Sequence, residues 1–181
     1  PPADIVRSPA TEAALAYRFT PADEDLLEDA QRGCFHYMWK EVGQPSGLAM
    51  DRRTADLVST AGVGFQLSAL PIGVEHCWIT REEGAARAKS ILQALIERTD
   101  NKHAGVYLHF VNPADGGLPP GKIIDQASTV DHALLLAGAL PAATYFGGDV
   151  AKLVDRMAAD TNWRLYDNSE QGFISFGWLP D

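Results

Sequence analysis

Val58-Ser59-Thr60-Ala61-Gly62-Val63-Gly64-Phe65-Gln66-Leu67-Ser68-Ala69-Leu70-Pro71-Ile72-Gly73-Val74 runs without a single charged side chain. Ser59 or Thr60 can cap a helix here, because a hydroxyl oxygen accepts a bond from one of the unpaired amides of the first turn. Ala61, Gly62 and Gly64 permit close approach of neighbours, while Phe65, Leu67 and Leu70 fill space. The run has about the length of a membrane span, but Gln66, Ser68, Pro71 and the glycines favour a helix buried in protein, so no membrane span is expected. A second uncharged run, His132 to Gly148, carries Leu134, Leu135, Leu136, Leu140, Tyr145 and Phe146, and Ser128 stands before it as a cap.

Charge-rich helices alternate with these two. Thr20 as N-cap, Pro21 at the first helical position and Asp23, Glu24 and Asp25 in the first turn predict a helix to about Glu41. Its stripe is Leu27, Ala30, Cys34 and Met38, with Phe35 and Trp39 beside it. Thr80-Arg81-Glu82-Glu83 reads as a capping box opening a helix to about Arg98, and Asp149 opens another to about Leu165. Residues 105–111 and 172–178 read as extended, and Gly and Pro mark a loop from Asn112 to Gly121. A helix apolar all round must be covered on all sides. The uncharged helices therefore form an inner layer and the charged ones an outer layer, an all-α toroid of helical hairpins. A faint repeat agrees: Ser59-Thr60 and Leu70-Pro71 recur about 70 residues later as Ser128-Thr129 and Leu140-Pro141.

The 181 residues, 46% hydrophobic and 22% charged, suit one globular domain over residues 20–181, preceded by an extended segment, 1–19. A net charge of -9 argues against a nucleic-acid partner or an anionic membrane surface and leaves a neutral ligand open. Cys34 and Cys77 lie in apolar helical stretches and read as buried small hydrophobes, with a disulfide left open. The start at Pro1-Pro2-Ala3, without Met, reads as a processed N-terminus, giving a periplasmic or secreted place as the expectation.

Carboxylates gather where the inner helices begin: Asp51 beside Arg52 before the first, Asp125 and Asp131 around the start of the second. Glycosidic cleavage needs two carboxyl groups, one protonated for the leaving oxygen and one ionised to activate water or attack the sugar. The bland alternatives are that Asp131 completes a capping box with Ser128 and that Asp51 and Arg52 form a structural ion pair. His109 and His132 lack a third ligand at useful spacing, so no metal is expected. No cofactor is expected either, for the chain has no Gly-rich phosphate loop, nucleophile elbow or CxxC. Tyr107, Phe110, Phe173, Phe176 and Trp178 could offer flat faces to sugar rings or could equally cap the core.

Phe35-His36-Tyr37-Met38-Trp39, Ser46-Gly47-Leu48-Ala49-Met50-Asp51-Arg52, residues 64–75, Trp78-Ile79-Thr80-Arg81-Glu82-Glu83 and Ser128-Thr129-Val130-Asp131-His132 through Gly138 resemble the glucoamylase-like domain of bacterial endo-β-1,2-glucanases and cyclic β-1,2-glucan synthases. The resemblance implies the N-terminal half of an (α/α)6 barrel. It also implies hydrolysis of a β-linked glucan, with inversion and without metal. It points to Asp51, Arg52, His109, Asp131 and the Phe176-Gly177-Trp178 segment as lining or supporting the cleft. Asp131 is the catalytic candidate, and Asp51, Arg52, His109, Asp125, Gln126, His132 and Trp178 are candidate substrate contacts. The family carries a Glu where this chain has Gln126, and a neutral amide cannot act as acid or base. The family also continues past Asp181 into a segment bearing the general acid. The rest of the barrel, or a second chain, is therefore expected to complete the site and to cover the apolar inner helices. A non-catalytic carbohydrate-binding or scaffold half-barrel is the competing reading.

Overall fold

The computed structural model describes residues 18–121 and 126–179. The chain divides into two compact units, residues 1–34 and 35–181. Helix α1, Pro21–Lys40, crosses that division. In the first unit Thr20 and Asp23 cap it reciprocally, the Thr20 amide donating to Asp23 Oδ2 (2.8 Å) and the Asp23 amide to Thr20 Oγ1 (3.3 Å). Its expected stripe is corrected: Leu27 and Cys34 are exposed, and Phe35 is the buried residue of the helix.

The second unit repeats one motif. Inner helix α2 (Thr60–Glu75) is followed by outer helix α3 (Arg81–Ile96), then inner α4 (Thr129–Phe146) by outer α5 (Gly148–Ala159). The two inner helices lie against each other, and each packs on its own outer partner. Their approach is close: a Cβ on Gly138 would lie 1.8 Å from the Gly64 carbonyl oxygen, and one on Gly64 2.3 Å from that of Leu134. Thr80 and Glu83 form the expected capping box on α3. The helix expected to reach Leu165 ends at Ala159, and a 3-10 turn, Trp163–Tyr166, follows.

Paired dipeptides link the hairpins: β1 (Val58–Ser59) with β4 (Phe110–Val111), β2 (Lys102–His103) with β3 (Val106–Tyr107), β5 (Ala127–Ser128) with β8 (Gly177–Trp178), and β6 (Asp167–Asn168) with β7 (Phe173–Ile174), all antiparallel. The extended stretch expected over 105–111 is thus broken into a hairpin and a return strand. Gly105 (φ +83°) makes its turn, pressed so closely on the Asp160 carbonyl that a Cβ would lie 2.1 Å from that oxygen.

The ladder recurs with each outer helix. Met50, Leu108 and Ser175 donate their amides to the carbonyls of Glu41, Asn101 and Tyr166 at 2.9, 2.9 and 2.7 Å. The next amides, of Asp51 and His109, donate to Leu57 and Gln126 at 2.8 and 2.9 Å, just ahead of the two inner helices. Thr60 and Thr129, each first in its inner helix, donate their amides to the carbonyls of His109 and Phe176. Asp51, His109 and Phe176 are therefore equivalent positions, all at the end of the barrel arc where the inner helices begin.

The core is built by Leu48, Val58, Leu67, Leu70, Ile91, Leu92, Leu95, Leu135, Val154 and Met157 among others. The inner helices are not covered on all sides: Phe65, Ile72, Val130, Leu134 and Leu140 are exposed. Among the described residues no helix is long and apolar enough to cross a membrane. Cys34 and Cys77 are free and exposed, which corrects the expectation of burial; Cys77 follows the end of α2 with a positive φ of 58°, in the turn toward α3.

Candidate functional site

Asp131 sits in the first turn of α4. Its amide donates to the Ser128 cap (3.3 Å), and the Ser128 hydroxyl donates to Asp131 Oδ2. In a capping box the carboxylate would hold the backbone amide of the cap residue, as Glu83 holds Thr80. Asp131 instead uses one oxygen on the serine side chain and turns the other, Oδ1, toward His109 Nε2 at 3.8 Å. That separation is an ion-pair contact for a protonated imidazole, too long for a hydrogen bond. The Asp131 side chain is 14% exposed and that of His109 42%, so the pair borders solvent from a partly dry seat. The His109 ring stacks on Phe110, centroids 4.0 Å apart.

Asp51 holds the ladder position equivalent to His109. Its Oδ2 takes the Arg52 Nε–H at 3.2 Å, and the Arg52 side chain is largely exposed. Two residues that sequence reading passed over fix this loop. Gln66, fully buried on α2, accepts the Ala49 amide (3.0 Å) and donates to the carbonyls of Met38 and Gly47 (2.9 Å each). The Tyr37 hydroxyl donates to the Met50 carbonyl at 3.0 Å. Burial, with the Glu41 and Asp51 carboxylates nearby, pushes the Tyr37 phenol above its ordinary range and keeps that donor proton in place. A buried amide inside an otherwise uncharged helix was the signal for Gln66, since such a group must find partners.

The other expected residues fall elsewhere. His132 is fully buried, with Nε2 2.9 Å from Thr161 Oγ1 and its ring beside Tyr107 and Trp163. It belongs to the core and not to a ligand surface, because one step along a helix from Asp131 turns the side chain about 100°. Desolvation pushes its pKa down to about 4. Tyr107 is also buried. Gln126 serves the ladder through its carbonyl, and its side chain lies against Gly177, where a Cβ would come 2.9 Å from Nε2. Trp178 stacks face to face on His103 with centroids 3.8 Å apart. Phe173 and Phe176 are exposed, and Asp125 lies outside the described residues. Among the described residues no three His, Cys, Asp or Glu side chains gather as a metal site.

The structure thus places Asp51, Arg52, His109 and Asp131 at one end of the arc, with Phe176 in the third equivalent position. No family model matches the sequence. The chain is 29% identical, over 94% of its length, to an exo β-1,2-glucooligosaccharide sophorohydrolase (non-reducing end) of Parabacteroides distasonis, and it spans 25% of that protein. The crystal structure of a β-1,2-glucanase from Parabacteroides distasonis superposes with a TM-score of 0.77 at 29% identity, covering 91% of this chain and 25% of that one. A Bacteroides uniformis protein provisionally designated a glucoamylase gives the same TM-score at 26% identity, with 91% and 41% covered. The chain is a homologue of these glucoamylase-like proteins, and its hairpins are part of the (α/α)6 barrel they share.

Proposed function

We propose that these hairpins form the acidic end of a β-glucan hydrolase, with β-1,2-linked glucan as substrate. The observation that carries this reading is the convergence of Asp131 and His109 at the lip where Asp51 also lies, in a chain similar to a sophorohydrolase and a β-1,2-glucanase. Asp131 is the carboxylate placed to act on the reaction. Ser128 holds one oxygen, and the other, beside His109, can take a proton from an attacking water. The remaining turns of the barrel, in the same polypeptide or in another chain, supply the second carboxyl group as general acid. Attack by water on the face opposite the leaving oxygen gives inversion.

The complete protein is expected to release reducing ends from linear β-1,2-glucan. Asp131→Asn lowers turnover by about 10²–10⁴-fold while leaving the fold intact. No release from that polymer or from related β-glucans would remove the reading. Gln126, neutral and engaged with Gly177, favours a second reading in which the barrel binds glucan without cleaving it. Binding of sophoro-oligosaccharides with no turnover would select that alternative.

A further inference from the structure

The entrance of α4, which carries Ser128 and Asp131, leans on one short stretch of chain. Ala127 and Ser128 pair with Trp178 and Gly177. Thr129 donates its amide to the Phe176 carbonyl (3.1 Å), and its hydroxyl lies 2.8 and 2.9 Å from the carbonyls of Phe176 and Ser175. Whatever fixes residues 175–178 therefore helps to fix the serine that holds the Asp131 carboxylate.

Two contacts brace that stretch from behind, and both lead to His103. The Ser175 amide donates to the carbonyl of the buried Tyr166 (2.7 Å), whose hydroxyl donates to the His103 carbonyl (2.9 Å). The His103 ring itself lies flat on Trp178, centroids 3.8 Å apart and planes 4° from parallel. His103 ends β2 just before the Ala104-Gly105 turn. That turn is a firm base, because Gly105 presses on the Asp160 carbonyl and the Asn162 amide donates to the Ala104 carbonyl (2.9 Å).

The preceding repeat closes the same seam differently. Gly43 holds the place of His103 there, since Val42 is bridged to Ala49 as Lys102 is paired with Tyr107. A Cβ on Gly43 would lie 2.1 Å from the Pro113 carbonyl oxygen, just past β4, so at that seam backbone rests on backbone. At the second seam two rings stand between the hairpin and the strand, and their stack sets the spacing.

We propose that His103 and Trp178 are positioning residues for Asp131, their stack holding β8 against β5 so that Ser128 presents the carboxylate toward His109. The proposal rests on the glucan reading above, and it gives Trp178 a role behind the lip in place of contact with the sugar. A carboxylate that must meet an attacking water is sensitive to small displacements, so a slack support lowers turnover without weakening substrate binding.

The test measures reducing-end release from linear β-1,2-glucan by the complete protein, and hydrogen exchange over residues 126–131 by mass spectrometry. His103→Ala and Trp178→Ala are each expected to lower kcat about 10–10²-fold with KM held within about twofold, and the double variant to be no worse than either. His103→Phe keeps a flat ring on the indole and should restore kcat to within about threefold of the wild type. Exchange over 126–131 should quicken in His103→Ala and return to the wild-type rate in His103→Phe. A raised KM with unchanged kcat for Trp178→Ala would make that residue a sugar contact and overturn the proposal. Unchanged kcat in His103→Ala, or losses that add in the double variant, would overturn it as well. If the wild type releases no reducing ends, the glucan reading falls while the exchange rates still decide whether the stack holds the entrance of α4: unchanged rates in His103→Ala would overturn that too.

Discussion

His132 donates its Nε2–H to Thr161 Oγ1, and the direction is fixed by the hydroxyl's other bond. The Thr161 proton goes to the Met157 carbonyl four residues back, at 2.9 Å, so its oxygen can only accept from the imidazole. The ring is thereby held as the Nε2–H tautomer, with Nδ1 an unprotonated nitrogen that is buried and unpaired.

Protonating that ring in place is unfavourable, and stability should follow pH accordingly. The folded pKa, about 4, lies below the unfolded value of roughly 6.5, so the unfolded chain binds the extra proton between them. The stabilisation is complete above about pH 6.5 and is lost as pH falls toward 4, by roughly 3 kcal/mol at most. His132→Gln keeps a donor for Thr161 without a titrating ring. Urea unfolding between pH 7 and 4 should show a shallower decline for this variant, and parallel curves would contradict the assignment.

The crossing of the inner helices leaves no room for a methyl group. Gly138→Ala would press a Cβ into the Gly64 backbone, and neither helix can yield without moving its outer partner. A loss of about 3 kcal/mol or more is expected, measured as the urea midpoint. Gly64→Ala should do likewise, and the two losses should not add, because each already separates the same pair.

Gln66 ties the loop bearing Asp51 to α2 through Gly47 and Ala49, and the end of α1 through the Met38 carbonyl. Gln66→Leu preserves bulk but leaves an amide and two carbonyls without partners, at a cost of about 2–4 kcal/mol. Faster amide exchange over residues 47–51 is the accompanying expectation. Retained protection there would show that the loop is held without Gln66, by Tyr37 and the backbone bonds of Met50 and Asp51.

Ser175 and Phe176 mark the open side of the ladder. Where His109 gives its amide to the Gln126 carbonyl, the Phe176 amide has no such partner among the described residues. Beside it lies a groove of about 590 Å3 formed by Val130, Ala133, Leu134, Trp163, Ile174 and Phe176. The next turn of the barrel is expected to seat there. In these 181 residues alone the same edge should promote self-association. Phe176→Ser should reduce the concentration dependence of sedimentation, and an unchanged profile would count against this edge.

The helical layers were legible because charge and its absence alternate over long segments, and Ser59 and Ser128 announce their helices by an ordinary capping rule. The equivalence of Asp51, His109 and Phe176 was not legible. It lives in two-residue strands, too short to show any period, and the three residues share no chemistry. Asp131 and His132 are neighbours in sequence that the helix sends to different surroundings, one to the lip and one to the core. Cys34 and Cys77 misled because apolar flanks say little about which side of a helix, or of the turn that follows one, a single residue faces.

Because each hairpin repeats the last and touches mainly its neighbours, cooperativity here is a nearest-neighbour property, as in a one-dimensional array. Protection against hydrogen exchange should be greatest where α2 and α4 meet and fade through α5 to the β6–β7 hairpin. The sequence of events would then be a zipper: the Gly64 to Gly138 crossing nucleates, and the terminal hairpin stays frayed until another repeat locks it.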